Sequence, residues 1–369
     1  MLAYLSPLGL APLVGLIGLL CLRAPRASLS RRGFIGLCAL FLWAGASLFW
    51  SPARPWLKTG SLVSAVEHVT LLELALFALL AVLGVGAALR LEPAQARLPA
   101  ASLRWSILAL AALLSVESIE GGRLYGALAH LLQPDEDADL VRIYTARGGY
   151  VLAVLMWPWL CALPGRARWL APAPFLAVAG VSLLLHESAP LAALAAGSVA
   201  FALVMAAGRR GAALVGAIQA AFWLGAPWAV WLAERTLDYD RWSATIRPSW
   251  SARLHIWRFA ADRVAEHPLR GGGMDAARAF GDAIPLHPHD CSLQVWLELG
   301  LPGAALVTIL WLGLLRRVVS QPGRMRQAAG AGAMTAYLTI GAVSFGLWQP
   351  WWLAVGVLAI LAGVVAART

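Results

Sequence analysis

Apolar residues fall along the chain in long blocks, separated by short stretches that carry most of the arginines, glycines and prolines. The blocks are about 17 to 24 residues long, the length at which a helix rising 1.5 Å per residue crosses a bilayer core. Each block must be helical, because lipid offers the backbone no hydrogen-bond partner. The pattern therefore predicts an all-α polytopic membrane protein with about eleven transmembrane helices. We expect them at 4–22, 33–50, 64–89, 102–119, 148–163, 168–185, 189–207, 211–233, 293–315, 328–347 and 351–367.

The basic residues of the connectors predict the orientation. Connectors after odd-numbered helices hold sixteen Lys and Arg, whereas those after even-numbered helices, apart from one long loop, hold five. Basic connectors stay in the cytoplasm. The chain is therefore predicted to cross a bacterial inner membrane with its N-terminus periplasmic and its C-terminus cytoplasmic. The N-terminal block has no basic segment before it, so we expect an uncleaved first helix.

Composition agrees with this class. Hydrophobic residues make up 60% of the chain and charged residues 13%, whereas a soluble domain carries about a quarter charged residues. The net charge of +10 does not indicate nucleic acid, because the arginines show no aromatic-interleaved basic face. The four cysteines form no disulfide framework or metal-type pair. Tryptophans cluster at block ends, which favours the membrane interface for Trp50, Trp56, Trp157, Trp159, Trp348, Trp351 and Trp352.

The longest connector is predicted to be a periplasmic catalytic loop at 234–291, between a membrane domain at 1–233 and a second membrane part at 292–369. Within it, Leu254, Trp257, Ala261 and Val264 recur at helical spacing with charged residues between them. This spacing predicts an amphipathic helix lying on the membrane surface. A proline should end that helix at 267–268.

Two short motifs in the loop contain residues that could bind a ligand or transfer a proton. Gly271-Gly272-Gly273 is either a plain flexible turn or a turn whose backbone amides approach an anion. His287-Pro288-His289-Asp290 directly precedes a membrane helix. Its aspartate suits a helix N-cap, and its histidines could ligate a metal or accept a proton from a hydroxyl group. No further ligand cluster accompanies them, so the sequence predicts no metal and no cofactor.

The motifs together resemble the bacterial O-antigen ligase and O-antigen polymerase family. The resemblance covers about a quarter of the chain and is strongest in the long loop and the helix after it. It depends on the order of the segments Arg253-Leu-His-Ile-Trp257, Glu266-His-Pro-Leu-Arg-Gly-Gly-Gly273, His287-Pro-His-Asp290 and Glu298-Leu-Gly-Leu-Pro-Gly303, with weaker echoes at Ser47-Leu-Phe-Trp-Ser-Pro52 and Ser188-Ala-Pro-Leu-Ala192.

The resemblance implies a metal-independent glycosyltransferase. Its partners would be an undecaprenyl-diphosphate-linked glycan donor, a lipid A-core or lipid-linked glycan acceptor, and membrane lipids. In this hypothesis Arg147 and Arg253 bind the pyrophosphate, with Arg142 and Arg258 in reserve, because guanidinium groups suit phosphate. His289 orients or deprotonates the acceptor hydroxyl, and Asp290 or Glu187 holds its tautomer; His287, Gly271 and Gly273 complete the predicted substrate site.

Three departures from the family pattern leave the acceptor open. Asp290 stands where the family usually has Asn, and Ala189 stands where a basic residue often follows the serine. From the predicted periplasmic N-terminus we also expect the first helix of a typical twelve-helix member to be absent. Polymerisation of lipid-linked repeat units is therefore the first alternative. A transporter or flippase is the second, although it would predict ionisable residues at mid-membrane and two similar halves. A non-catalytic scaffold would leave the loop arginines and histidines unexplained.

Overall fold

The structure is a computed structural model that describes residues 2–24, 30–53, 70–132 and 138–368, without the side chains of 132 and 138–143. These ranges contain helices and no strand. In chain order the α-helices are α1 Leu2–Leu5, α2 Leu10–Leu20, α3 Arg31–Ser47, α4 Thr70–Ala88, α5 Pro93–Glu120, α6 Arg123–Leu132, α7 Ala138–Ala162, α8 Pro172–Leu184, α9 Ser188–Ala207, α10 Arg209–Thr236, α11 Tyr239–Thr245, α12 Pro248–Glu266, α13 Cys291–Val319, α14 Arg324–Val343 and α15 Pro350–Arg368.

Eight segments in the described part of the chain are long and apolar enough to span a bilayer. They correspond to eight of the predicted crossings, and the other three predicted segments are helical as α2, α7 and α14. The all-α polytopic class is therefore confirmed, while the total of eleven crossings stays a prediction. Residues 64–69 of the third predicted helix, and Trp56, lie outside the described residues.

Two helices begin well before their apolar blocks. Helix α5 starts at Pro93 rather than near 102, and α7 starts at Ala138 rather than near 148. For α5 the reason is a capping box, in which the Glu92 amide donates to Gln95 Oε1 at 3.0 Å, followed by proline at the first helical position. Hydropathy detects only the apolar part of such a helix, so it misses a polar first turn.

Several tryptophans belong to the protein core rather than to the membrane interface. Trp157, Trp159 and Trp352 are at most 1% exposed, and Trp351 is 6% exposed. The interface prediction was therefore wrong for these four residues, because a ring that is large enough for an interface also fills the space between helices.

Close packing of α9 and α14 places that core. A Cβ atom on Gly197 would lie 3.0 Å from the carbonyl oxygen of Gly332, and one on Gly332 would lie 3.2 Å from the carbonyl oxygen of Gly197. Small residues at such crossings let helix backbones approach each other in the membrane. The Trp157 ring covers both glycines, so the two helices and α7 form one tightly packed layer.

The long loop folds onto the membrane helices. Helix α12 contacts α10 and α13 and buries Leu254, Ile256, Ala260, Ala261 and Val264. The predicted helix is confirmed, and it ends at Glu266 as the following His267-Pro268 predicted. Its apolar face, however, is covered by protein and shares a hydrophobic cluster with α13. Burial against protein, rather than contact with lipid, therefore accounts for its apolar spacing.

Candidate functional site

A kink in α13 fixes the position of the glycine triplet. Gly300 has φ 62° and ψ −160° inside the helix, and Pro302 lacks an amide hydrogen. The Leu301 amide donates to the carbonyl of Pro268 at 2.9 Å, so the carbonyls of Leu297 and Glu298 lose their usual donors four residues later. Buried carbonyls need a replacement donor.

The glycine triplet supplies those donors. The Gly272 amide donates to the Leu297 carbonyl at 2.7 Å, and the Gly273 amide donates to the Glu298 carbonyl at 2.8 Å. The Gly271 amide donates to the carbonyl of His267 at 2.8 Å. All three amides are therefore engaged with carbonyls and none is left to approach an anion, while the wider assignment of Gly271 and Gly273 to the substrate site stays a prediction. The triplet is a packing element that joins the loop to the kink.

Gly273 should tolerate no side chain. Its φ is +97°, and an added Cβ would lie 2.7 Å from the carbonyl oxygen of Ser47. Gly281 is a matched control, since its φ is +53° with nothing within 4 Å of an added Cβ. We expect Gly281→Ala to cost about 1–2 kcal/mol for the left-handed backbone alone, and Gly273→Ala to cost clearly more. Thermal unfolding in detergent measures both, and equal destabilisation would contradict this packing role.

His289 is held by the backbone. It adopts a left-handed conformation with φ 57°, and its Nδ1 lies 2.7 Å from the Ser344 carbonyl oxygen. Because a carbonyl only accepts, Nδ1 carries the hydrogen and the neutral ring keeps a lone pair on Nε2. No hydrogen bond occupies Nε2 within the described residues. This tautomer is the one that can accept a proton at Nε2.

His289 stays neutral because of its surroundings. Burial lowers its pKa below the ordinary value of 6.5, and the positive charge of Arg253 lowers it further against the opposing bond to Ser344. His287 lies beside it, with ring centroids 4.2 Å apart. Its Nδ1 accepts from the His289 amide at 3.1 Å, which leaves a hydrogen on Nε2. Burial lowers the pKa of His287 to about 3, so this ring is a neutral hydrogen-bond donor.

Asp290 caps the helix that follows. Its Oδ1 accepts from the amides of Ser292 at 2.8 Å and Leu293 at 2.9 Å. The alternative of an N-cap, which the sequence left open, is therefore the observed contact. The hydrogen bond that holds the tautomer of His289 is accepted by the Ser344 carbonyl, and neither Asp290 nor Glu187 accepts it. Any catalytic role of Asp290 stays a prediction.

Glu187 forms a hydrogen bond with Tyr150, a residue that no sequence motif indicated. Its Oε2 accepts from the Tyr150 hydroxyl at 2.7 Å. Tyr150 is three residues after Arg147 on α7, a spacing that puts both on one helix face. Both Glu187 and Tyr150 interact electrostatically with Arg253. A polar cluster thus joins three elements: α7, the turn before α9, and α12.

Arg253 is held by α12 with part of its guanidinium unused. Its Nη1 donates to the Ser249 carbonyl at 2.8 Å, and the group lies 5.4 Å from the ring centroid of Trp250. Trp250 is fixed in turn, because its Nε1 donates to Ser188 Oγ at 3.1 Å. The Nε of Arg253 is buried without a hydrogen-bond partner. Burial lowers the pKa of Arg253, although an arginine still carries its charge at any ordinary pH.

The other predicted arginines differ in availability. Arg147 is half-buried and lies 4.5 Å from the Tyr144 ring centroid, near Tyr125 and Tyr150. Arg258 is paired with Glu234 at 2.7 Å, so its charge is compensated and it fits a phosphate-binding role less well. The side chain of Arg142 lies outside the described residues. Arg147 and Arg253 therefore remain the two predicted phosphate ligands.

A second layer holds the segment that carries Ser344. The Leu347 amide donates to Gln294 Oε1 at 2.8 Å, and Trp348 Nε1 donates to Glu298 Oε2 at 2.7 Å. Both acceptors lie on the buried half of α13 before its kink. The Glu-x-Gly-x-Pro-Gly segment therefore holds the turn from which the Ser344 carbonyl reaches His289. The sequence showed the motif but gave no sign of this contact.

Fold and site together define a polytopic membrane protein with a neutral histidine and two arginines next to its membrane helices. Residues 143–308 match the family model described as O-antigen ligase. A polysaccharide ligase of Rickettsia conorii is 31% identical over 32% of this chain and 32% of its own length. One of Rickettsia bellii is 34% identical over 30% of each chain.

The region that matches the family model contains most of the site. The O-antigen ligase match includes Arg147, Tyr150, Glu187, Arg253 and His289, whereas Ser344 lies beyond it. The chain spans about a third of the length of the curated relatives it matches. The predicted resemblance to the O-antigen ligase family is confirmed by the similarity over residues 143–308 and by the similarity to these polysaccharide ligases.

We also considered whether the side chains of the described ranges could hold a metal ion. Those residues contain no group of three or more His, Cys, Asp or Glu side chains placed to hold an ion. The pair His287 and His289 uses both of its Nδ1 atoms in contacts with the backbone. Of the four ring nitrogens in this pair, Nε2 of His289 is the one that keeps a lone pair without a hydrogen-bond partner in the described part of the chain.

Proposed function

We propose that this protein transfers a glycan from an undecaprenyl-diphosphate-linked donor to a hydroxyl group of a lipid acceptor, of the lipid A-core type, on the periplasmic face of the inner membrane. The observation that carries the proposal is the proximity of two groups. His289 presents a neutral Nε2, and Arg253, which acts electrostatically on that ring, presents an unpaired buried Nε. A base for the acceptor and a cation for the leaving diphosphate are what glycan transfer requires.

Donor binding is assigned to the arginines. A diphosphate carries its charge on oxygens that guanidinium groups bind through parallel hydrogen bonds. Arg253 extends from α12 and Arg147 from α7, and Tyr150 lies electrostatically close to both. The two cations would therefore hold the diphosphate from two sides. Partial burial strengthens this attraction because less water screens it.

The transfer step follows from these positions. Nε2 of His289 takes the proton of the acceptor hydroxyl, and the hydroxyl oxygen bonds to the anomeric carbon. The bond from that carbon to the phosphate oxygen breaks, and undecaprenyl diphosphate leaves with the electron pair. Arg253 and Arg147 stabilise the charge that develops on it. A single displacement of this kind inverts the anomeric configuration.

Reconstitution tests the proposed function. The purified chain would be placed in liposomes with a lipid-linked glycan and either lipid A-core or a second lipid-linked glycan, with a metal chelator present. We expect glycan on lipid A-core, unaffected by the chelator. Product on the lipid-linked glycan alone would instead support a polymerase. Movement of intact donor across the bilayer without a new glycosidic bond would support a flippase, and either result would overturn ligation.

A further inference from the structure

A cavity lies at the end of the helix bundle away from His289. It has a volume of about 280 Å³ and is lined by Leu160, Cys161, Leu163, Arg168, Ala171, Met325 and Arg326. None of these residues belongs to the polar cluster around His289. The cavity is therefore separate from the site described above.

Three helices connect the cavity with the candidate site. Helix α7 runs from Tyr150 to Cys161, α8 runs from the cavity to the turn before Glu187, and α14 runs from the cavity to Ser344. The eighteen residues from Arg326 to Ser344 correspond to about 27 Å at 1.5 Å per residue. A bilayer core is about 30 Å thick. Along α14 the cavity is thus separated from the candidate site by about the thickness of a bilayer core.

The cavity combines positive charge with an apolar wall. Arg168 and Arg326 are the charged residues in its lining, and the remaining lining residues are apolar or cysteine. The segments 161–171 and 320–328 contain no Asp or Glu. Neither arginine forms an ion pair within the described residues. Next to Arg168, the ring of Trp169 is 76% exposed, as expected for a residue at the headgroup level.

We propose that this cavity binds an anionic phospholipid of the leaflet opposite the candidate site. The two guanidinium groups meet the phosphate of the headgroup, and the Leu160 and Leu163 side of the cavity receives the start of an acyl chain. Basic pockets between membrane helices recognise anionic lipids in this way. A soluble anion would satisfy the arginines but would leave the apolar wall facing water, so the lining favours a lipid.

Lipid titration of the purified full chain tests the proposal. In neutral detergent, phosphatidylglycerol and phosphatidylcholine with the same acyl chains would be compared by native mass spectrometry and by the thermal midpoint of tryptophan fluorescence. We expect phosphatidylglycerol to bind about tenfold or more tightly, given the contribution of each basic residue near an anionic lipid. Arg168→Gln combined with Arg326→Gln should abolish this preference.

Matched variants distinguish the cavity from general surface charge. Arg316→Gln with Arg317→Gln removes the same charge from two exposed residues at the end of α13, and it should keep the preference. If both double variants lose it equally, the cavity is not the site. If inorganic phosphate raises the thermal midpoint as much as phosphatidylglycerol does, the ligand is not a lipid. Should the double variant fail to fold, Arg168→Gln alone, at an exposed position, must still weaken binding.

Discussion

Replacing His289 should reduce glycan transfer by about 10² to 10⁴-fold, the contribution of a positioned general base. Alanine at this position would also strain the backbone, because φ is 57°. His289→Asn avoids that difficulty, since asparagine tolerates the left-handed region and has no basic nitrogen. Initial rates of transfer in liposomes, at matched amounts of folded protein, measure the effect.

His255 is the matched control for His289. It is exposed on α12, and its Nδ1 likewise lies 2.8 Å from a backbone carbonyl, that of Ser251. His255→Asn should keep the rate of wild type. A His289→Asn protein that transfers glycan within about threefold of the wild-type rate would exclude the proposed proton acceptor, given the expected size of the effect.

Replacing Arg253 should reduce transfer by about 10² to 10³-fold, as the loss of one group that stabilises a developing charge does. Arg253→Lys should recover only part of the rate, because an ammonium group cannot form the parallel hydrogen bonds of a guanidinium group. Arg270→Gln is the control: it is exposed in the same loop and should leave the rate unchanged. A normal rate for Arg253→Gln would remove this residue from donor binding.

The pH profile gives Arg253 a second signature. His289 works as a base only when neutral, so the rate falls as pH drops through its pKa. Burial and the charge of Arg253 lower that pKa below 6.5, so the acidic limb of the wild-type profile should lie below pH 6.5. In Arg253→Gln the limb should move to higher pH, because the repelling charge is gone. A limb that stays in place would show that the two groups do not interact.

Periodicity and local chemistry predicted the class, the loop helix and its end, and the cap at Asp290. The hypothesis in which Glu187 orients His289 also placed the turn containing Glu187 beside the long loop, and Glu187 does interact electrostatically with Arg253 of that loop.

Contacts across the bundle could not be predicted. Tyr150 and Ser344 both lie within apolar blocks. In such a block, no local pattern distinguishes a residue of the site from a residue that only packs between helices. The buried tryptophans were misassigned for a related reason, since only tertiary packing decides which way a ring points. The glycine triplet was misread because its amides serve carbonyls freed by a kink about 28 residues away, and that kink was not foreseen.

The atom that orients His289 belongs to the main chain. Ser344→Ala would leave its carbonyl in place, so an alanine scan would not reveal the residue whose main chain orients His289. The contact with His289 therefore sets no requirement on the side chain at position 344, as long as the chain path is kept. The side chains on which this contact depends are instead those of Gln294 and Glu298, which hold the 344–348 turn in place. Among orthologues, we expect fewer substitutions at positions 294 and 298 than at position 344.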